Sequence, residues 1–155
     1  MSIFATDVIA DIICDQPLTP HTVVGSIDTI NVGQTVQVGT IHLELFSTNN
    51  ELAFEEDGGI IGRVTSIDTG AYPIESTLNH HVIFSGGSTI ETTADQAIMW
   101  PTSECSFDVT EKISNLWGTK EFKRTSGEIT ATGSVNFCDG TNGNHFVLTG
   151  SVCFK

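Results

Sequence analysis

An all-β chain folded as one small antiparallel barrel is the architecture this sequence predicts, and three observations predict it. Fifteen glycines and abundant threonine, serine, valine and isoleucine favour strands joined by tight turns over helices. Apolar residues recur at every second position in several stretches, the period of a half-buried strand. Turn-forming clusters separate these stretches at intervals of roughly 8–15 residues, giving about eight to ten strands, a spacing typical of sandwiches and barrels. Closure as a barrel also removes the sheet edges that so strand-rich a chain would otherwise expose. The 155 residues suit one domain, no composition break divides them, and 39% hydrophobic residues suffice for a core.

In chain order, residues 2–14, 22–38 and 51–68 are extended but irregular, and Gly39 marks a candidate bulge. Ile41, Leu43 and Leu45 alternate with His42, Glu44 and Phe46. Asp57-Gly58-Gly59 reads as a hairpin turn rather than a calcium loop, since the alternating acidic ligands of such a loop are missing. His80 to Phe84, then Ser85-Gly86-Gly87-Ser88, then Thr89 to Thr93 form a strand–turn–strand pattern. Asp95 to Trp100 is a further short strand, closed by Pro101. Cys105, Phe107, Val109 and Ile113 alternate with Ser106, Asp108, Thr110 and Lys112, and residues 115–124 allow one helical turn.

The C-terminal hairpin is the clearest element. Ile129, Ala131, Val135 and Phe137 alternate with polar residues, residues 139–143 form a turn, and Phe146, Leu148, Val152 and Phe154 resume the alternation. Directly opposed residues share a face, which predicts Phe137 opposite Phe146, Val135 opposite Leu148 and Ile129 opposite Phe154. Cys153 then lies opposite Thr130, away from Cys138.

Charge narrows the function. Nineteen acidic residues face six basic ones, for a net charge of −13, and Arg63 is the only lysine or arginine among the first 111 residues. Such a surface repels phosphate backbones and anionic lipid, which argues against nucleic-acid and membrane partners. Lys112, Lys120, Lys123 and Arg124 cluster, but on a connection they read as a solvated face. Residues 8–14 are apolar, yet Asp7 and Asp11 interrupt them and no basic segment precedes, so the chain reads as cytoplasmic. Cys14, Cys105, Cys138 and Cys153 lack the close pairing of a zinc site and read as free, buried thiols. No metal or cofactor is expected.

Four groups of residues are candidates for chemistry. Glu111 shares a strand face with Phe107, Val109 and Ile113; facing inward it would be desolvated and its pKa raised, as an acid–base group needs. The preferred alternative places it at a wet barrel rim. Glu44 and His42 share a face with Phe46, an acid–base pair if that face lines the barrel. The outward reading is preferred, because Ile41, Leu43 and Leu45 make the better core face. His80 and His81 are adjacent and point to opposite faces, so at most one enters a cavity; His81 is the candidate, beside a structural reading. Trp100, Trp117, Tyr72 and Met99 either line an apolar pocket or plug the barrel ends.

One segment resembles a known family. Residues 113–135 read Ile-Ser-Asn-Leu-Trp-Gly-Thr-Lys-Glu-Phe-Lys-Arg-Thr-Ser-Gly-Glu-Ile-Thr-Ala-Thr-Gly-Ser-Val. Gly118 permits a tight reversal, Phe122 can plug a barrel end, and Gly127 lets the next strand start close to its neighbour. This resembles the Gly-Thr-Gly-x-Phe-x-x-Ala-x-Gly turn of the allene oxide cyclase barrel superfamily, which includes the dirigent proteins. His81-Val-Ile-Phe-Ser-Gly-Gly-Ser-Thr-Ile90, Asp95 and Pro101 resemble the preceding strands, so the likeness spans residues 75–154. Lys120 and Arg124 stand where the family usually has glycine, which predicts a less tight turn.

The resemblance implies a closed eight-stranded antiparallel barrel, a homo-oligomer (trimer or dimer), and a cofactor-free apolar cavity in which a reactive intermediate closes into a ring. No catalytic motif of the family maps onto this chain residue by residue. The expected function is therefore a cyclase or isomerase for a small apolar molecule, with Glu111, Glu44 and His81 steering protons and Phe107, Met99, Trp100, Tyr72 and Phe46 lining the cavity. The alternatives are a lipocalin-type carrier, or a scaffold whose outward apolar faces assemble subunits.

Overall fold

A computed structural model describes residues 12–138 and 143–155. Among the described residues nine strands form: β1 (Thr19–Val32), β2 (Val36–Ser47), β3 (Leu52–Asp68), β4 (Ile74–Phe84), β5 (Thr89–Pro101), β6 (Ser106–Ile113), β7 (Leu116–Gly118), β8 (Ser126–Asn136) and β9 (Gly143–Phe154). Eight of them close into an antiparallel barrel in the order β4-β3-β2-β1-β9-β8-β6-β5, with β5 returning to β4; β7 is a short extra strand on β5. Each barrel strand pairs with its neighbours in sequence, save at the seam where β1 meets β9 (Thr19 opposite Phe154). Among the described residues, no helix is long and apolar enough to cross a membrane.

Alternation sets which face is core. In β2, Ile41, Leu43 and Leu45 are buried while His42, Glu44 and Phe46 point outward, as the better-core-face argument predicts. In β6, Val109, Glu111 and Ile113 point inward, so Glu111 lies within the barrel and not at its rim. The strand does not leave the barrel at that point: its pairing with β8 runs on to Ile113 opposite Ile129.

Several expectations need correction. Asp57-Gly58-Gly59 lies in the middle of β3, not in a turn. A Cβ at Gly58 would press on the Ile83 backbone, so the glycine serves close approach of β4. Gly39 makes no bulge; it sits where a Cβ would collide with the backbone of Asp28 in β1, and the irregularity in β2 falls at Leu45/Phe46. Residues 22–38 are two strands, split by the Gly33–Thr35 turn. Of the stretch 2–14, residues 1–11 lie outside the described residues, and 12–14 are not strand.

The β8–β9 hairpin forms in another register. Phe146 faces Gly133, Leu148 faces Ala131 and Ile129 faces Gly150. Each partner is four residues from the expected one, an even slip that leaves every face unchanged. Gly133 fixes it: a Cβ there would collide with the His145 carbonyl, so only a bare backbone fits opposite that part of β9.

The four cysteines are not free. Cys14 bridges Cys153, and Cys105 bridges Cys138. Wide sequence spacing hid both pairs: barrel closure brings Cys14 to Cys153, and the β6–β8 pairing, with Ser106 opposite Asn136, brings Cys105 to Cys138. Cys14–Cys153 ties the segment before β1 to the last strand, and Cys105–Cys138 ties the β5–β6 connection to the end of β8.

One end of the barrel is sealed by aromatic rings. A 3-10 turn (Lys120–Phe122) delivers Phe122 into contact with Phe54, Phe84 and Phe154, at ring-centroid distances of 4.8, 5.3 and 5.6 Å. Lys120 and Arg124 in this segment adopt left-handed backbone at φ 51° and 66°.

Candidate functional site

The opposite half of the barrel is hollow. A cavity of about 570 Å³, within the range of small-molecule sites, is lined by apolar side chains including Leu78, Met99, Phe107, Val109 and Phe146. Gln34, Thr35, Gln37 and Thr69 bring uncharged polar groups to its edge. The Cys105–Cys138 bridge braces the same end of the barrel, with Phe107 and Phe137 in edge contact beside it. Glu111 lines this cavity and also a smaller one of about 50 Å³ beneath, so its carboxyl stands between the two.

Around Glu111 the fold gathers two more ionisable groups. His80 Nδ1 donates to Asp95 Oδ2 at 2.7 Å and lies 3.4 Å from Glu111 Oε1. The side chains of His80, Asp95 and Glu111 are 10%, 0% and 6% exposed. Thr92 donates its hydroxyl to Asp95 Oδ2 and accepts from the His80 backbone N–H at 3.0 Å. Because Asp95 accepts, Nδ1 is the protonated imidazole nitrogen.

Local backbone explains the convergence. In β5, Ala94 takes φ 55° and adds one residue against β4, so Leu78 faces Asp95 while His80 faces Thr92. The Asn79 side chain accepts from the Ala94 N–H and holds this bulge. The extra residue flips the parity of the strand, and Thr92 and Asp95, three apart, both point inward. Gly62, opposite His80 in β3, leaves the space that the imidazole fills.

The cluster is chemically unsaturated. Among the described residues, three buried side-chain oxygens lack a hydrogen-bond partner, and two of them are Asp95 Oδ1 and Glu111 Oε1. Burial raises the Glu111 pKa above its usual 4.5; His80 pulls it down and Asp95 adds to the rise. Burial opposes the charging of His80, yet Glu111 and the hydrogen bond to Asp95 outweigh it and raise its pKa above 6.5. The two shifts are coupled, since a neutral Glu111 leaves Asp95 alone to hold the imidazolium. The arrangement is a buried carboxyl beside a hydrogen-bonded histidine–aspartate pair.

Both shifts predict the same pH dependence. Glu111 contributes stability that is full below 4.5 and is lost as pH rises through its raised pKa; His80 does so from 6.5 upward. Melting temperature should fall as pH rises above the ordinary pKa values of 4.5 and 6.5, and Glu111→Gln should flatten the acidic part of that slope. A melting temperature that climbs over this window contradicts the assignment.

The remaining sequence candidates lie elsewhere. His81 is the outward member of its pair, exposed and 2.9 Å from Glu91; parity put one histidine inside, and it is His80. Glu44 is outside, 3.0 Å from His42, which also contacts Asp57 at 2.6 Å. These carboxylates raise the His42 pKa on an open surface. Phe46 faces outward on the same strand. Tyr72 and Trp100 pack edge to face on the exterior, and Trp117 is half exposed. Met99 and Phe107 do line the cavity. Ligand atoms of His80, Asp95 and Glu111, and of His42, Glu44 and Glu55, lie within 4.8 Å of one another, spacings a small cation would also accept. In the buried trio the direct His80–Asp95 hydrogen bond is the proton's arrangement.

Sequence reasoning missed Asp95 and Thr92, whose inward placement depends on the Ala94 bulge. It also passed over His80, whose partners were hidden. No protein-family model, curated protein or solved structure matches the chain.

Proposed function

We propose that the barrel holds a small, largely apolar molecule in its cavity and moves a proton on it through Glu111, acting as an isomerase or cyclase. The observation that carries this is a buried carboxyl with an unpartnered oxygen at the floor of an apolar cavity. Desolvation raises the pKa of that carboxyl above its usual 4.5, the direction a general acid needs. The apolar walls hold the substrate in one folded shape and exclude water, and His80 supplies the charge that steadies Glu111 after it gives up its proton, with Asp95 holding the imidazole in place. The proton is lent and recovered within one turnover, so an isomerisation needs no co-reactant. The two disulfides suit an oxidising compartment, which favours an exported protein over a cytoplasmic one.

The test is deuterium uptake. The protein is incubated in D2O with a small-molecule extract of its native source, and compounds are weighed by mass spectrometry. Wild type should introduce deuterium into a bound compound or its isomer, and Glu111→Gln should slow this by about 100-fold or more. A compound that binds and is released without exchange in either protein identifies a carrier instead.

A further inference from the structure

The charge inventory of the cavity bears on what it takes, an inference that rests on the binding reading above. Among the described lining residues, Glu111 is the only ionisable one, and no lysine or arginine reaches the cavity. An anionic ligand would bring its charge into a chain of net charge −13, beside Glu111 and Asp95, where the one nearby basic group, His80, is already hydrogen-bonded to Asp95. A cationic ligand fares little better. The imidazole that offsets Asp95 already lies 3.4 Å from Glu111 Oε1, so an ammonium seated on Glu111 would face it.

A neutral ligand meets neither obstacle. A protonated Glu111 carries an O–H for which the protein provides no acceptor, and a buried donor without an acceptor is costly. An oxygen on the ligand would satisfy it. The rest of the cavity is mostly apolar, and its other polar lining residues, among them Asn31, Gln37, Thr69 and Ser76, are uncharged.

We infer that the ligand is uncharged, apolar over most of its length, and carries a carbonyl-type oxygen that accepts a hydrogen bond from Glu111. Such an oxygen is also where a general acid acts: Glu111 protonates the carbonyl of an unsaturated ketone, and the carboxylate this leaves takes the proton from the adjacent carbon to give the dienol and restore the acid, with no net change in electrons. Glu111 then gives that proton to the carbon at the far end of the dienol and takes back the one on oxygen, which completes the double-bond shift and regenerates the acid.

The experiment compares three probes of equal chain length on the intact, disulfide-bonded protein by titration calorimetry at pH 7. They are 2-decanone (neutral), decanoate (anionic) and decylamine (cationic). The ketone should bind at least tenfold more tightly than either ion. Glu111→Leu, which removes the donor, should weaken the ketone about tenfold, whereas Glu111→Gln, which keeps an N–H donor of similar shape, should hold it within about threefold; the second variant guards against a folding defect in the first. Tighter binding of decanoate or decylamine overturns the inference and leaves the cavity reading standing. If none of the three binds, the cavity reading fails and the inference with it.

Discussion

Replacing Cys14 and Cys153 together with alanine lowers the stability of the barrel by about 5 kcal/mol, the largest single loss expected. The bridge closes a loop with a sequence separation of 139, and chain-entropy arithmetic for a loop that long gives roughly this value. The bond joining Cys105 to Cys138 spans a separation of only 33, so its removal should cost less, about 4 kcal/mol. Alanine is the right replacement at Cys153, which is buried against β1 and would otherwise trap a hydroxyl. Denaturant unfolding of the double mutant, and of wild type with and without reductant, measures the effect. A shift below about 1 kcal/mol would mean that the reduced chain keeps its ends together by β1–β9 pairing alone.

Phe122→Ala should cost about 3–5 kcal/mol, the usual range for emptying a buried aromatic site. The ring is 1% exposed, stacks on Phe84 and meets Phe54 and Phe154 at steeper angles, so three neighbours lose a partner at once. The backbone around it is poorly placed to collapse into the gap, because Gly118 is already packed against the Thr89 carbonyl and the Phe122 Cβ. Phe122→Leu should recover part of the loss. Because the plug lies at the sealed end, ligand affinity at the other end should change little, which separates a stability effect from a functional one. Chemical unfolding gives the first quantity and calorimetry with 2-decanone the second; an affinity loss matching the stability loss would show that the two ends are not independent.

The sequence carried the faces of strands better than their partners. Inward placement of Ile41, Leu43 and Leu45, and of Glu111 with Val109 and Ile113, follows from period two alone. Register does not, because a slip of four residues between β8 and β9 moves no side chain to the other face. The bare backbones of Gly127, Gly133 and Gly150 distinguish the true pairing, and each is close to the backbone of the opposite strand. Whether Glu111 sat in the core or at a rim likewise depended on how far β6 stays paired, which is a long-range property. The rest of the site was invisible for a sharper reason. Asp95 reaches His80 through one extra residue at Ala94, and alanine is not a residue that announces left-handed backbone.

The seam between β1 and β9 has a kinetic consequence. Every other ladder of the barrel joins strands that follow one another along the chain, apart from the short β7 excursion, and can zip up from its own turn. The seam cannot: Thr19 meets Phe154 only after nearly the whole chain has been ordered between them. Until then both terminal strands present unpaired edges, the state in which a β-rich chain is most open to sticking to its neighbours. Cys14–Cys153 lies at the start of that seam. A chain oxidised early at this position begins its search for closure with the two edges already side by side, so the bridge acts as a guard on the path to the barrel as well as a brace within it.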